Sequence, residues 1–402
     1  NANDKIQAMG LDQLNAITHI EFVELYEDRC LQCLYTLTRI ASEENTPLNI
    51  RLSGQHIKKL FGSRLRLPLE SSSEWWKRIA VLLVEEQRKD SDLPVRLLRF
   101  SASTGSAREE QRDLFTTPQI IEQLVEDLST DNRWSGALAR TVFELIIPND
   151  FKETIRKQSN SIWILDKVTA GYPWELLQDA ASGSKPLCCN AGMIRQLYTP
   201  DYRVRIKPVA NSKALVIGDP DLDGYTQASQ LAGAEKEAHL VNRLLSDNGF
   251  DTANSCIRKP SSAIIRALFE DDYKLIHLAG HGIFNEDPAL PSGMLIGNNV
   301  FLSTREICQM STVPELVFVN CCFLGKMDGG AEKYYRDRFR LAANIGTQLI
   351  ENGVKAVVAA GWAVDDDAAF HFTEVFYSRM LAGSNFGQAV LAARQSTFAR
   401  YP

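Results

Sequence analysis

Leu275-Ile276-His277-Leu278-Ala279-Gly280-His281-Gly282 is the stretch on which the fold turns. The apolar run Tyr273 to Leu278 is rich in β-forming residues and reads as a strand. The small residues after it are expected to turn the chain sharply outward, which places His281 at the strand's carboxyl edge. A second short run without Gly or Pro, Leu316-Val317-Phe318-Val319, ends at Asn320-Cys321-Cys322 before a stretch rich in Gly and charge. Cys322 is therefore also expected at a carboxyl edge. In open parallel sheets, ligands bind in the crevice outside those edges, so His281 and Cys322 are expected to meet over one substrate.

These two residue types divide a known task. A free thiol has a pKa of about 8.5 and is only a few per cent thiolate near neutrality. An imidazole, with an ordinary pKa of about 6.5, can take its proton. The pair predicts a thiol protease. Gly282 leaves its backbone N–H open to a substrate carbonyl, and the N–H of Cys322 is a second candidate donor for an oxyanion hole. One such donor is worth roughly 3 kcal/mol of transition-state stabilisation.

Runs at Ser161–Leu165, Lys213–Gly218 and Ala356–Ala360 read as further strands. They alternate with helical patterns at Ala234–Leu245, Ser261–Phe269 and Leu341–Glu351. The alternation predicts an α/β fold with a mostly parallel sheet flanked by helices, closed on one side by Asp367–Leu381 and Phe386–Phe398. Upstream, a loose apolar stripe marks 1–18 as a helical lead-in. Ile20–Arg39, Leu48–Leu52 and Val95–Phe100 read as strands, Glu74–Glu86 and Pro118–Leu128 as helices, and Ser101–Arg112 as an exposed loop. The division expected is therefore the lead-in, an α/β half over 19–150 that lacks a His and Cys pair, and the half bearing the pair over 151–402.

The 402 residues are 45% hydrophobic, ample for a large core, and the 44 Lys and Arg against 50 Asp and Glu leave a net charge of −6. With no Lys/Arg block, direct nucleic-acid binding is not expected. No apolar run reaches the ~18 residues of a membrane span and no secretory leader opens the chain, so a soluble, cytoplasmic protein is expected. Its first residue is Asn rather than Met, and the chain is expected to be part of a longer protein. Among the eight cysteines, Cys30 and Cys33 have the spacing of a zinc pair, but Cys188-Cys189 lies too far away to complete it. Asp219-Pro220-Asp221-Leu222-Asp223-Gly224 begins like a calcium loop, yet its twelfth position is Gln230 and it follows a strand. No metal or cofactor is expected, and His277 reads as a core histidine.

The string His277 to Gly282, taken with Asn320-Cys321-Cys322-Phe323-Leu324-Gly325, closely resembles the CHAT peptidases, caspase-like cysteine proteases related to separase. Tyr172-Pro173-Trp174-Glu175-Leu176-Leu177, Gly233 to Ala238, and the segment Asn352 to Asp365 resemble the same family in order and spacing. The resemblance implies a caspase-like catalytic half and a silent, pseudo-caspase-like half that buttresses it. It implies that Cys322 attacks, since the family places the nucleophile three residues before a glycine and Gly325 fits that choice; Cys321 stands where the family has a small residue. It implies that Asn320 lines the substrate pocket. Asp365 and Asp366, with Asp367, are candidates for negative charge there, or for helix capping alone. Asp328 is a third candidate, in a loop expected to order when a partner binds. The implied protein substrate is cut by an endopeptidase kept latent until a protein partner activates it. Some members carry TPR repeats and serve an RNA-guided CRISPR effector in antiviral defence. The alternative is a non-catalytic interaction module, or one whose thiol senses oxidation.

Overall fold

The computed structural model describes residues 77–86, 95–103, 109–114, 123–124, 135–156, 159–283 without 182, 204–205, 223 and 226–227, then 293–323, 342–360 and 366–401. The lead-in, the strands expected at Ile20–Arg39 and Leu48–Leu52, Cys30, Cys33 and most of Pro118–Leu128 lie outside these residues. The chain forms two compact units, 1–66 with 210–212, and 67–209 with 213–402; every element below belongs to the second.

Its first sheet has five strands: β1 (Lys77–Glu86), β2 (Val95–Ser103), β3 (Glu109–Leu114), β4 (Ser161–Leu165) and β5 (Met193–Leu197), in the order β3-β2-β1-β4-β5. β1 pairs antiparallel with β2 and parallel with β4. Three expectations are corrected here. Of the helix expected at Glu74–Glu86, the described residues Lys77–Glu86 form β1 instead: Lys77, Ile79 and Val81 are buried while Arg78 between them is exposed, the period of two of a strand. The expected loop Ser101–Arg112 instead supplies the ends of β2 and β3, with Ser101 opposite Gln111. β3 is polar because it is an edge strand, and a cross-strand pair holds it, Arg99 Nε to Asp113 Oδ1 at 2.8 Å. Ser161–Leu165 joins this sheet rather than the second, so strands from both sides of residue 150 share it.

Helices α1 (Gly136–Ile146), capped by the Ser135 side chain, and α2 (Asn149–Arg156) cover the sheet. α1 buries Ala139, Val142, Phe143 and Ile146, one face of a 3.6-residue period. They pack with Phe100, Trp163 and Trp174 in one core. Tyr172 to Leu177 acts here as a structural clamp. Trp174 is fully buried with its ring 5.2 Å from that of Trp163. Glu175 accepts from Arg195 Nε of β5 at 2.7 Å and also from its Nη2. Arg195 donates further to the carbonyls of Ala170 and Tyr172.

After the short α3 (Leu187–Asn190), the second sheet collects seven strands: β6 (Ala214–Gly218), β7 (Cys256–Ile257), β8 (Leu275–Ile283), β9 (Gly293–Gly297), β10 (Val300–Leu302), β11 (Leu316–Phe323) and β12 (Ala356–Ala359). β7, β6, β8, β11 and β12 run parallel, while β9 is antiparallel to β8 and β10 to β9. The hairpin β9-β10 is absent from the sequence reading. Both faces are covered, by α4 (Ala232–Asp247), α5 (Ser261–Glu270), α6 (Thr304–Cys308), a helix α7 over 342–351 and α8 (Asp366–Leu381), while α9 (Phe386–Arg400) packs on α8 and reaches α3 and β5, where Arg394 donates to the Met193 carbonyl. α4 is built of strong helix formers and buries Ala238, Val241 and Leu245 at helical spacing. It lies so close to β6 that a Cβ on Gly218 would fall 2.1 Å from that of Ala238. Among the described residues, no helix is long and apolar enough to cross a membrane.

Candidate active site

β8 and β11 outrun their neighbours. β12 pairs with β11 only as far as Val319, while β6 pairs with β8 only as far as Ala279. On that same side of β8, β9 takes over at Gly282. Gly280 and His281 therefore sit in a fork where β6 has ended and β9 has not begun. The expected turn at Ala279 to Gly282 does not occur: both strands continue, and the carboxyl edge is made by overhang. Gly280 fits the fork closely: a Cβ there would lie 2.7 Å from Cε at the movable end of Met294 and 3.3 Å from Pro220 Cδ. Through the overhang β8 and β11 stay in register, and Cys322 is the partner of His281. Their backbones stand one strand spacing apart, about 4.8 Å.

Alternation along the strands separates the two cysteines. Ile276 and Leu278 face the core shared with Val317 and Val319, and Cys321 packs against that same core. His281, two pleats from His277, lies on the opposite face. That removes Cys321 from the face of the imidazole.

His281 is 8% exposed. Its Nε2 lies 2.6 Å from the carbonyl oxygen of Ser229, so the proton is on Nε2 and that N–H donates. Nδ1 then carries a lone pair, is buried, and has no hydrogen-bond partner among the described residues. Burial pushes the imidazole pKa down, outweighing the Ser229 carbonyl and the charges of Asp219 and Asp366, which push it up. The ring is thus a neutral base with its accepting nitrogen unspent.

The loop bearing Ser229 is organised by Asp219, which follows β6 with φ +39° and is 1% exposed. Its Oδ1 accepts from Gln230 Nε2 at 2.9 Å and from the Leu231 N–H at 2.8 Å, and its Oδ2 from Arg258 Nη1 at 2.9 Å. The segment that resembled a calcium loop is a carboxylate-pinned turn. Neither Ser229 nor Asp219 was expected at the site. A backbone carbonyl leaves no mark in a sequence, whereas an Asp at the end of a strand beside the His strand was a usable signal.

Asn320 is 8% exposed, and its Nδ2 donates to Glu237 Oε2 of α4 at 2.6 Å. With Gly280, Leu231, Gly233 and Ala369 it lines a small cleft. Asp366 lines the same cleft from the first turn of α8, pressed so near Gly233 that a Cβ there would lie 2.6 Å from Asp366 Oδ2. Gly282 is a strand residue between Met294 and Phe323. Asp328 and Asp365 lie outside the described residues, and Cys322 is described by its backbone position. His277 is fully buried, with Nδ1 3.1 Å from the Tyr377 hydroxyl. Among the described residues, no group of three or more His, Cys, Asp or Glu is placed to hold a metal ion.

Among solved structures, the chain is similar to a complex of Porphyromonas gingivalis RgpB pro- and mature domains, at 13% identity and a TM-score of 0.38, over 71% of this chain and 72% of that one. It is similar also to the Arg-specific cysteine proteinase gingipain R, at 12% identity and a TM-score of 0.38, over 71% of each chain. No curated protein matches it. The family model of the CHAT domain matches residues 136–400, a span that takes in β4 and β5, the whole second sheet and the forked site, and the chain belongs to the CHAT domain family.

Proposed function

We propose that the chain is a cysteine endopeptidase in which His281 is the base and Cys322 the nucleophile. The observation that carries this reading is the register of His281 with Cys322 in adjacent parallel strands, together with the unspent, buried Nδ1. In the proposed cycle, Nδ1 takes the thiol proton as sulfur attacks the substrate carbonyl carbon. The imidazolium, steadied by the Ser229 carbonyl and the charge of Asp219, returns that proton to the leaving amine. Water then enters, gives a proton to Nδ1 and hydrolyses the thioester. The backbone N–H groups of Gly282 and Cys322 are the proposed oxyanion donors, and Asn320 and Asp366 the proposed walls of the substrate pocket, with Asp328 and Asp365 as further candidates. Latency and release by a protein partner, an RNA-guided effector in one form of the idea, belong to the proposal on the family resemblance alone, and cytoplasmic location on the lack of a membrane-length apolar run.

The test is amino-terminal labelling of a cell extract incubated with the intact protein, beside its Cys322→Ala, Cys321→Ala and His281→Ala forms. New termini that vanish with Cys322→Ala and His281→Ala, but persist with Cys321→Ala, are expected. Termini that persist in Cys322→Ala, or a Cys322 thiol whose alkylation rate ignores His281→Ala, overturn the reading.

A further inference from the structure

Behind the proposed dyad lies a buried polar connection that the chemistry above does not use. Glu237, 2% exposed in α4, reaches both strands that carry the pair. Its Oε2 accepts from Asn320 Nδ2 in β11 at 2.6 Å, and its Oε1 stands 3.2 Å from His277 Nε2 in β8. Neither Oε1 nor His277 Nε2 has a hydrogen-bond partner among the described residues, so the second is a close approach only; the Asn320 bond carries the argument. Asn320 is two residues before Cys322, and His277 four before His281. A buried carboxylate needs partners to offset its desolvation. Packing alone does not require that both come from the two strands bearing the pair, on the face that His281 shares.

The bond also has a direction. A carboxylate offers acceptors, so the Asn320 amide must turn its NH2 toward Glu237. Oδ1 is then left buried and without a partner among the described residues. Orphan buried acceptors are uncommon in folded proteins. This one belongs to a residue lining the cleft beside Gly280 and Asp366.

We infer that Glu237 is a positioning residue of the proposed active site: by holding the Asn320 amide it sets the end of β11 against β8 and leaves Oδ1 free for a donor entering the cleft. The inference rests on the reading of His281 and Cys322 as a dyad, and its test separates the two. Glu237→Gln, Asn320→Asp and the two combined are all near-isosteric, so the core volume is kept. The combined variant restores the hydrogen bond with donor and acceptor exchanged. In the full-length chain, the rate of Cys322 alkylation by iodoacetamide at pH 7 is read by peptide mapping, beside thermal melts and a His281→Ala control.

Asn320→Asp, which sets two carboxylates face to face, is expected to slow alkylation at least fivefold. The combined variant returns to within twofold of the parent, and Glu237→Gln alone changes the rate less than twofold. A combined variant as slow as Asn320→Asp overturns the inference, since a nearby charge acting directly on the thiol would survive the exchange. So does an Asn320→Asp rate equal to the parent's. If His281→Ala leaves the rate unchanged, the dyad itself fails and takes the inference with it; if His281→Ala slows it while the exchange has no effect, the dyad stands and Glu237 has only a packing role.

Discussion

Arg195→Met should expose how much of the fold depends on the clamp at Glu175. Glu175 is 4% exposed, and Arg195 meets it in a two-pronged contact whose Nε arm is 2.7 Å long. Removing the guanidinium leaves Arg394, 3.8 Å from Oε1, as its remaining cationic partner among the described residues. Breaking a buried pair on one side typically costs about 3–5 kcal/mol. The Arg195 side chain keeps 29% exposure, so the lower end, about 3 kcal/mol, applies. Urea unfolding followed by tryptophan fluorescence is the assay, because Trp163 and Trp174 sit in the core beside the clamp. The pH dependence supplies a second check. Burial pushes the Glu175 carboxyl up, but the charge and hydrogen bonds of Arg195, with Arg394, outweigh it and hold the group below the usual carboxylate range. The stability this confers is complete above the unfolded value of about 4.3 and is lost as pH falls through the folded value. Without Arg195, burial prevails and the folded value is raised, so the variant loses stability as pH rises above about 4.3. The gap between the two proteins should widen from pH 4 to pH 7. Arg195→Met with Glu175→Met should recover about 2 kcal/mol relative to the single variant, since no buried charge is stranded. A loss under about 1 kcal/mol at pH 7, or a double variant no better than the single, refutes the reasoning.

Other perturbations test the forked site. Because burial depresses the His281 pKa, the stability it gives is full above about pH 6.5 and is lost as pH falls through its folded value; His281→Gln should flatten the melting temperature over that window. Asp219→Ala should destabilise by about 1–3 kcal/mol and slow Cys322 alkylation, with Asp219→Asn milder because Oδ1 can still accept from the Leu231 N–H; equal alkylation rates in all three proteins would contradict the role given to the turn. Gly218→Ala should cost more than Gly280→Ala in chemical unfolding, about 3 kcal/mol or more against about 1. The first clash is with a Cβ on packed α4, the second with the movable end of Met294.

The site was legible where chemistry is carried by side chains in short apolar runs. His281 and Cys322 could be paired from sequence because β8 and β11 are nearly continuous apolar segments ending in reactive residues, as strands covered on both faces must be. How they end was misread. Gly280 and Gly282 suggested a turn, yet the glycines stay in the strand, Gly280 because Met294 and Pro220 close over it. β1 was misread for a related reason: Ile79-Ala80-Val81-Leu82-Leu83-Val84 suits a helix or a strand, and the decision comes from β2 and β4 on either side.

Sequence by itself determined the parallel arrangement of the second sheet, the helices on both its faces, and the two residues proposed to react, because apolar periodicity and residue chemistry are local properties. Tertiary structure alone decided that β4 belongs with β1, that β9 takes the place β6 vacates beside β8, and that Cys321 faces away from His281. It alone placed the Ser229 carbonyl on the imidazole and Glu237 on Asn320, 52 and 83 residues away in the chain. Such contacts depend on strand order and on where each strand stops, which are settled by long-range pairing and close packing rather than by any stretch of the chain taken alone.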